Sequence, residues 1–384
     1  MRQLVLLYWG CVFLMYLSQT YYPVSQQVDG PQTGRHHFML RRADVFMIAV
    51  IVWMTCFSFL RTSYNDTGNY IYEFINLTDP LGQYLAESNL LKIGDNPLFI
   101  LYQTIIHEST DNYHLFFFFP ALINSIAVIN FFKKYSTDIA FTLLIFYSIG
   151  TYVMYIAAMK QCIAIVILLI ALPYAIDKKY VKFYLLIFVA MLFHTHAFVF
   201  LAVPLFCGKP WGKVTWILLL AVLFSMATYD TTFGVLMNTA LNMGINIVDW
   251  ELFDGHSINF IRVIVYWIPA VLALVFRERL FSDSTRAENL FANMAIGAAF
   301  IITIGLRQGA NLFARMAAYY EIFIGIALPR MIRKLFIKQS AQLVTVIAVV
   351  LYFVYFLYEF GVSKNFGADY SALSLWQFIQ SLFS

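Results

Sequence analysis

An all-α, polytopic transmembrane bundle is the fold this sequence predicts, on three observations. The 384 residues are 61% hydrophobic and 12% charged, with a mean hydropathy of +0.73, far outside the range of a soluble domain. Apolar runs near the ~20 residues that a spanning helix requires recur from end to end. Lysine and arginine gather in alternate, short connections, the positive-inside pattern of a multi-pass protein. Length alone would allow two or three soluble domains. The recurring apolar runs instead predict one integral membrane domain over residues 1–384.

Ten runs are of spanning length: 3–19, 44–60, 115–132, 137–157, 161–176, 214–228, 259–276, 287–306, 310–329 and 340–359. The first lacks a small-residue cleavage site after it and is expected to be a span, not a removable signal. Residues 97–106 are too short to cross and predict a re-entrant or interfacial helix. Residues 181–207 are apolar but interrupted by His194-Thr195-His196, which predicts a broken hairpin of two short spans meeting near the outer face. About 12 crossings result, within a range of roughly 10–14. Residues 371–384 alternate apolar and polar positions at helical spacing and predict a helix along the outer interface.

Seventeen of the 25 cations lie in connections that the positive-inside rule makes cytoplasmic, from Arg35, Arg41 and Arg42 to Arg330, Arg333, Lys334 and Lys338. Both termini then face outward. The net charge of +4 reflects these loops and implies no nucleic acid. Cys11, Cys56, Cys162 and Cys207 fall in or beside apolar runs with no metal or disulfide spacing and read as small core residues. The two longest connections, 61–96 and 229–258, are expected outside as a substrate-facing cap. They are rich in Tyr, Asn, Asp and Trp, types that stack on and hydrogen-bond to sugars, with Trp250-Glu251 through Asp254 the best platform. No nucleotide-binding loop and no inverted repeat is present.

Arg61, Lys160, Arg262, Arg307 and Arg315 lie at or inside the expected outer ends of apolar runs. A cation at membrane depth costs roughly 2.5–3.5 kcal/mol, so five on one side imply a shared anionic partner. A lipid-linked phosphate is the obvious one, since guanidinium groups grip phosphate oxygens bidentately. Arg61 opens the stretch to Asp66 and Tyr70, where a Gly-containing turn could present Asp66 to substrate. The alternative is that Arg61 snorkels and Asp66 caps the next helix. Arg307 and Arg315 are eight apart, two turns on one side of a helix, with Gly305 and Gly309 placed to break it. Arg315 then lies within the span, and its structural alternative is a pair with Glu321. His194 could act as a general base or satisfy backbone freed at the helix break. Lys160-Gln161 opens a span as phosphate ligand or anchor. The cluster His107, Glu108, Asp111, His114 matches no standard metal spacing, so no metal is expected.

Together these segments resemble the EpsG-like branch of the Wzy-type polysaccharide polymerases. The resemblance rests on an ordered set over roughly residues 44–330: Arg61 through Tyr70, with Asn65 where glycine is usual; Asn96-Pro97-Leu98-Phe99; Lys160-Gln161, with lysine where arginine is commoner; Phe193-His194-Thr195-His196-Ala197; and Arg315 to Tyr319-Tyr320. It implies a metal-independent, cofactor-free glycosyltransferase acting on the outer face of a bacterial cytoplasmic (inner) membrane. Such an enzyme joins repeat units carried on undecaprenyl diphosphate into O-antigen, capsule or exopolysaccharide, beside a flippase and a chain-length regulator. Arg315 would stabilise the leaving diphosphate, with Arg61 and Lys160 as further ligands; Arg307 joins them on helix geometry alone. Tyr70, Gln161, Tyr319, Tyr320 and Trp250 would contact substrate, and Asp66 or His194 would take the acceptor's proton. The rival expectations are an O-antigen ligase, whose motifs lie mainly around one late outer loop, and a lipid-linked oligosaccharide flippase or transporter.

Overall fold

The computed structural model describes residues 2–21, 44–242, 256–363 and 370–382, and helices dominate it. α1 (Arg2–Tyr21) and α2 (Val45–Phe59) lead to a short strand, β1 (Arg61–Ser63). Two small helices, α3 (Thr67–Ile75) and α4 (Leu81–Glu87), and the longer α5 (Pro97–Ser109) follow. α6 (Tyr113–Tyr135), the bent pair α7 (Ile139–Ser148) and α8 (Thr151–Ala157), α9 (Met159–Ile176) and α10 (Tyr180–Phe193) come next. After a 3-10 helix at Thr195–Cys207 the chain continues through α11 (Lys213–Ala227) and α12 (Tyr229–Asn242). The last part holds α13 (Phe260–Val275), α14 (Arg277–Phe281), α15 (Arg286–Ile304), α16 (Ala310–Leu335) and α17 (Lys338–Leu357). A strand β2 (Ser371–Ala372) and helix α18 (Leu375–Ser381) end the described chain.

Six of these helices are long and apolar enough to cross a membrane, and two bent pairs raise the number to as many as eight. Four shorter apolar helices, Val45–Phe59, Tyr180–Phe193, Thr195–Cys207 and Phe260–Val275, stand at the remaining segments expected to cross. The short helix expected at 97–106 is α5. The hairpin expected to break at His194 does so, between α10 and the 3-10 helix. Thirteen residues is long for that geometry, whose runs usually stop at three or four.

Local sequence sets the boundaries. Asp44 accepts from the Met47 amide at 2.9 Å and starts α2. Asp138 does the same for α7 through Phe141. Thr285 and Glu288 form a reciprocal capping box on α15. Gly309, at φ +72°, turns the chain from α15 into α16. Along that pair, small residues permit close approach. Elsewhere, Gly325 of α16 lies so near α7 that Thr142 donates to its carbonyl at 2.7 Å.

One large apolar core runs through the bundle. A second, mainly aromatic cluster caps one end, joining Phe59, Tyr70, Phe74, Phe99, Phe116, Phe117 and Phe378. Phe74 and Phe116 stack at 4.9 Å. This end corresponds to the expected outer face. A strand pair not foreseen from sequence closes it: β1 runs antiparallel to β2, with Arg61 opposite Ala372. Tyr370 stacks on Phe57 at 4.1 Å, and Phe378 of α18 is buried against Phe59. The chain's end is thereby fastened to the loop after α2.

Candidate functional site at the aromatic-capped end

Burial sorts the cations. Arg61 is only 2% exposed. Its Nε donates to Thr67 Oγ1 at 3.0 Å, its Nη1 to the Ser58 carbonyl at 2.5 Å, and its guanidinium lies 4.0 Å above the Phe117 ring. Against the open phosphate grip expected of Arg61, its Nε and Nη1 are already bound inside the protein, and the residue braces the turn between α2 and α3. Arg262, 7% exposed, is likewise structural. Its Nη2 lies 3.3 Å from Glu321 Oε1, and Tyr266 and Thr151 also donate to that carboxylate. Glu321 thus pairs with Arg262 and not with Arg315, the partner considered from sequence.

Arg315 is free of that buried pair because it lies a turn and a half nearer the start of α16. Its side chain is 27% exposed and its Nη2 stands 3.5 Å from Asp66 Oδ2. Asp66 occupies the N-cap position of α3, yet its carboxylate makes no cap bond and turns to Arg315 instead. Asn65 immediately before it adopts φ +48°, a left-handed conformation that asparagine tolerates better than most L-residues. Glycine would adopt that conformation as readily.

α3 carries Asp66, Tyr70 and Glu73 at successive-turn spacing, and hence on one side. Lys160, near the start of α9, faces the same helix. Its Nζ is 3.8 Å from Glu73 Oε2, 5.1 Å from the Phe99 ring and 5.9 Å from the Tyr70 ring. Burial raises the Tyr70 phenol pKa above its ordinary value and keeps it neutral. Gln161, 1% exposed, donates from Nε2 to the Arg315 carbonyl at 2.6 Å. It thereby ties α9 to α16, while its Oε1 has no hydrogen-bond partner among the described residues.

One turn beyond Arg315, the Tyr319 hydroxyl meets His194 Nδ1 at 2.7 Å. The ring of His196 packs edge-on against His194, centroids 4.8 Å apart. Thr195 between them accounts for the Asn96-Pro97 element: its amide donates to Asn96 Oδ1 at 3.3 Å, and its hydroxyl to the Ile93 carbonyl at 3.1 Å. Tyr320 points elsewhere, donating to the Val199 carbonyl and stacking on Phe200 at 5.4 Å. It holds α16 against the 3-10 helix, so its expected substrate contact is corrected to a packing role. Arg307 is exposed in the turn before Gly309. The two-turn relation to Arg315 therefore does not hold, because the helix between them is broken where the two glycines suggested. Trp250 lies outside the described residues.

Two members of the 107–114 cluster have partners within the protein. Glu108 accepts from the Leu81 amide and His114 Nδ1 meets the Phe59 carbonyl. Among the described residues no group of three or more His, Cys, Asp or Glu side chains is placed to hold a metal ion. Sequence reasoning missed Glu73 and the Asn96–Thr195 bond. Glu73 was findable: it lies seven residues after Asp66, two helical turns on.

Segments scattered over 250 residues thus meet at one end of a helical membrane bundle, as two half-exposed cations, two carboxylates and a histidine–tyrosine pair. Such a site suits an anionic substrate and one proton transfer. The family comparison agrees in kind: the chain matches the model of the EpsG family over residues 44–373 and belongs to that family. Membership points to polysaccharide polymerisation in general. No curated protein and no solved structure matches it.

Proposed function

We propose that this protein is a membrane glycosyltransferase that polymerises oligosaccharide repeat units carried on undecaprenyl diphosphate, working on the outer face of the bacterial cytoplasmic membrane. The observation that carries this proposal is the convergence of Arg315, Lys160, Asp66 and the His194–Tyr319 pair at the end of the bundle poor in loop cations. The anomeric C–O bond of the donor breaks, and its electron pair leaves on the diphosphate. Arg315 and Lys160 stabilise the charge that develops there, in a setting partly shielded from water where such groups act strongly. The terminal hydroxyl of the acceptor unit forms the new glycosidic bond and gives its proton to Asp66 or His194. The Tyr319 bond fixes the His194 ring and leaves its other nitrogen to face substrate. The carboxylate of Asp66 is 36% exposed and stands beside Arg315.

Purified protein supplied with undecaprenyl-diphosphate-linked repeat units in detergent should produce a ladder of longer glycans. Asp66→Asn and His194→Gln, assayed across pH, identify the base as the variant that abolishes turnover and its alkaline rise. Transfer of a preformed polymer to a lipid A core, without lengthening, would assign a ligase instead. Lipid-linked glycan crossing a vesicle bilayer without lengthening would assign a transporter.

A further inference from the structure

We propose that Glu73 is a resident counter-ion of Lys160, holding the cation's place in the empty site and yielding it to the substrate's diphosphate. The inference rests on the diphosphate site proposed above and adds a residue to it.

Each of the two half-exposed cations faces a carboxylate at or in α3: Arg315 faces Asp66 at 3.5 Å, and Lys160 faces Glu73 at 3.8 Å. Both contacts are long for charge-assisted hydrogen bonds, which close to about 2.7–2.9 Å. Both are open to solvent: Lys160 and Glu73 side chains are 28% and 48% exposed. Exposed pairs of this kind contribute little and are readily exchanged. The contrast is with Glu321, 1% exposed, which accepts three hydrogen bonds around Arg262 and has no freedom to leave. Lys160 is further guided by the adjoining Tyr70 and Phe99 rings, 5.9 and 5.1 Å from its ammonium, so it stays in place when the carboxylate departs. Glu73 has somewhere to go, since its neighbours Tyr72 and Ile75 are exposed on α3. A diphosphate brings more negative charge than one carboxylate and wins the exchange, while an uncharged glycan does not. The pair thus keeps Lys160 oriented between turnovers and biases the site toward anionic lipid carriers.

The test uses the full-length protein in detergent with two probes, inorganic diphosphate and farnesyl diphosphate, at low ionic strength. Glu73→Gln removes the competitor's charge and should tighten binding of both probes about two- to fivefold, the strength of an exposed pair. Disruption of the fold would weaken binding instead. Lys160→Gln should weaken binding, and adding Glu73→Gln to it should have no further effect. Unchanged or weaker binding in Glu73→Gln overturns the proposal, as does a gain that persists without Lys160. Binding that is indifferent to Lys160→Gln overturns the diphosphate site itself, a separate failure. Tightening for farnesyl diphosphate alone would assign the effect of Glu73 to the lipid tail and also overturn the counter-ion role.

Discussion

Replacing Arg315 with alanine removes a guanidinium that is 27% exposed and paired with Asp66. Its contact with Asp66 is 3.5 Å long, with side chains 27% and 36% exposed, so losing it should cost less than about 1 kcal/mol of stability. The hydrogen bond from Gln161 goes to the backbone carbonyl of residue 315 and survives. Alanine is also the best helix former, so α16 keeps its start. Under the proposed reaction, removing a donor to the diphosphate should be far more costly: about 10²–10³ in rate, or roughly 2.7–4 kcal/mol at the transition state. The two costs differ enough to be separated. The assay is polymer chain length on gels from cells that carry only the variant, with fluorescence-detected size exclusion of the same membranes to count folded protein. Folded protein at parental level with single repeat units in place of polymer is expected. Polymer of normal length would refute the role given to Arg315. Loss of folded protein would refute the low structural cost worked out here.

Breaking the buried pair should have the opposite profile. Arg262→Ala or Glu321→Ala leaves a charge unpaired in the core and should cost about 3–5 kcal/mol, read as loss of the monodisperse peak. Arg262→Met/Glu321→Leu removes both charges and should recover much of it. Gly309→Ala places a Cβ 2.9 Å from the Tyr229 hydroxyl oxygen at φ +72°. It should lower thermal stability by at least about 1–2 kcal/mol from the backbone alone. Asn65→Gly should melt with the parent, whereas Asn65→Val, forced to φ +48°, should lose about 1–2 kcal/mol in the same melt.

Periodicity and charge bias made most of the bundle legible, because a spanning helix must be both long and apolar. The broken hairpin was legible because two histidines interrupt an apolar run, and the α15–α16 turn because Gly305 and Gly309 flank it. The β1–β2 pair was not. Two- and three-residue strands have no periodicity to read, and Thr62 and Ser371, bonded across it, are 309 positions apart. Within the site, residue type alone could not separate Arg61 from Arg315. Both stand at expected span ends, and only packing shows that the Phe117 ring, Ser58 and Thr67 enclose one of them. The alternative that pairs Glu321 with Arg315 fails for a related reason. Spacing along α16 allows Arg315 to be considered, but the closer partner comes from a helix some fifty residues earlier in the chain.

Burial and bond length together give a rule for cations in a bundle like this one. Arg61 and Arg262 are 2% and 7% exposed, and each is held by fixed partners inside the protein. A ligand could recruit them only by leaving Thr67, Ser58 or Glu321 unsatisfied at membrane depth, where an unpaired polar or charged group is costly. Arg315 and Lys160 are 27% and 28% exposed, and their carboxylate partners sit at 3.5 and 3.8 Å. Those partners cost little to displace and are solvated once displaced. The five cations that looked alike by position therefore separate by mechanism. Arg61 and Arg262 set the shape of the bundle's end, Arg307 lies in an exposed turn, and Arg315 and Lys160 hold loosely paired charge, which the diphosphate of the proposed reaction would claim. A site that must bind an anion and release it again needs cations in this second condition, oriented but weakly paired.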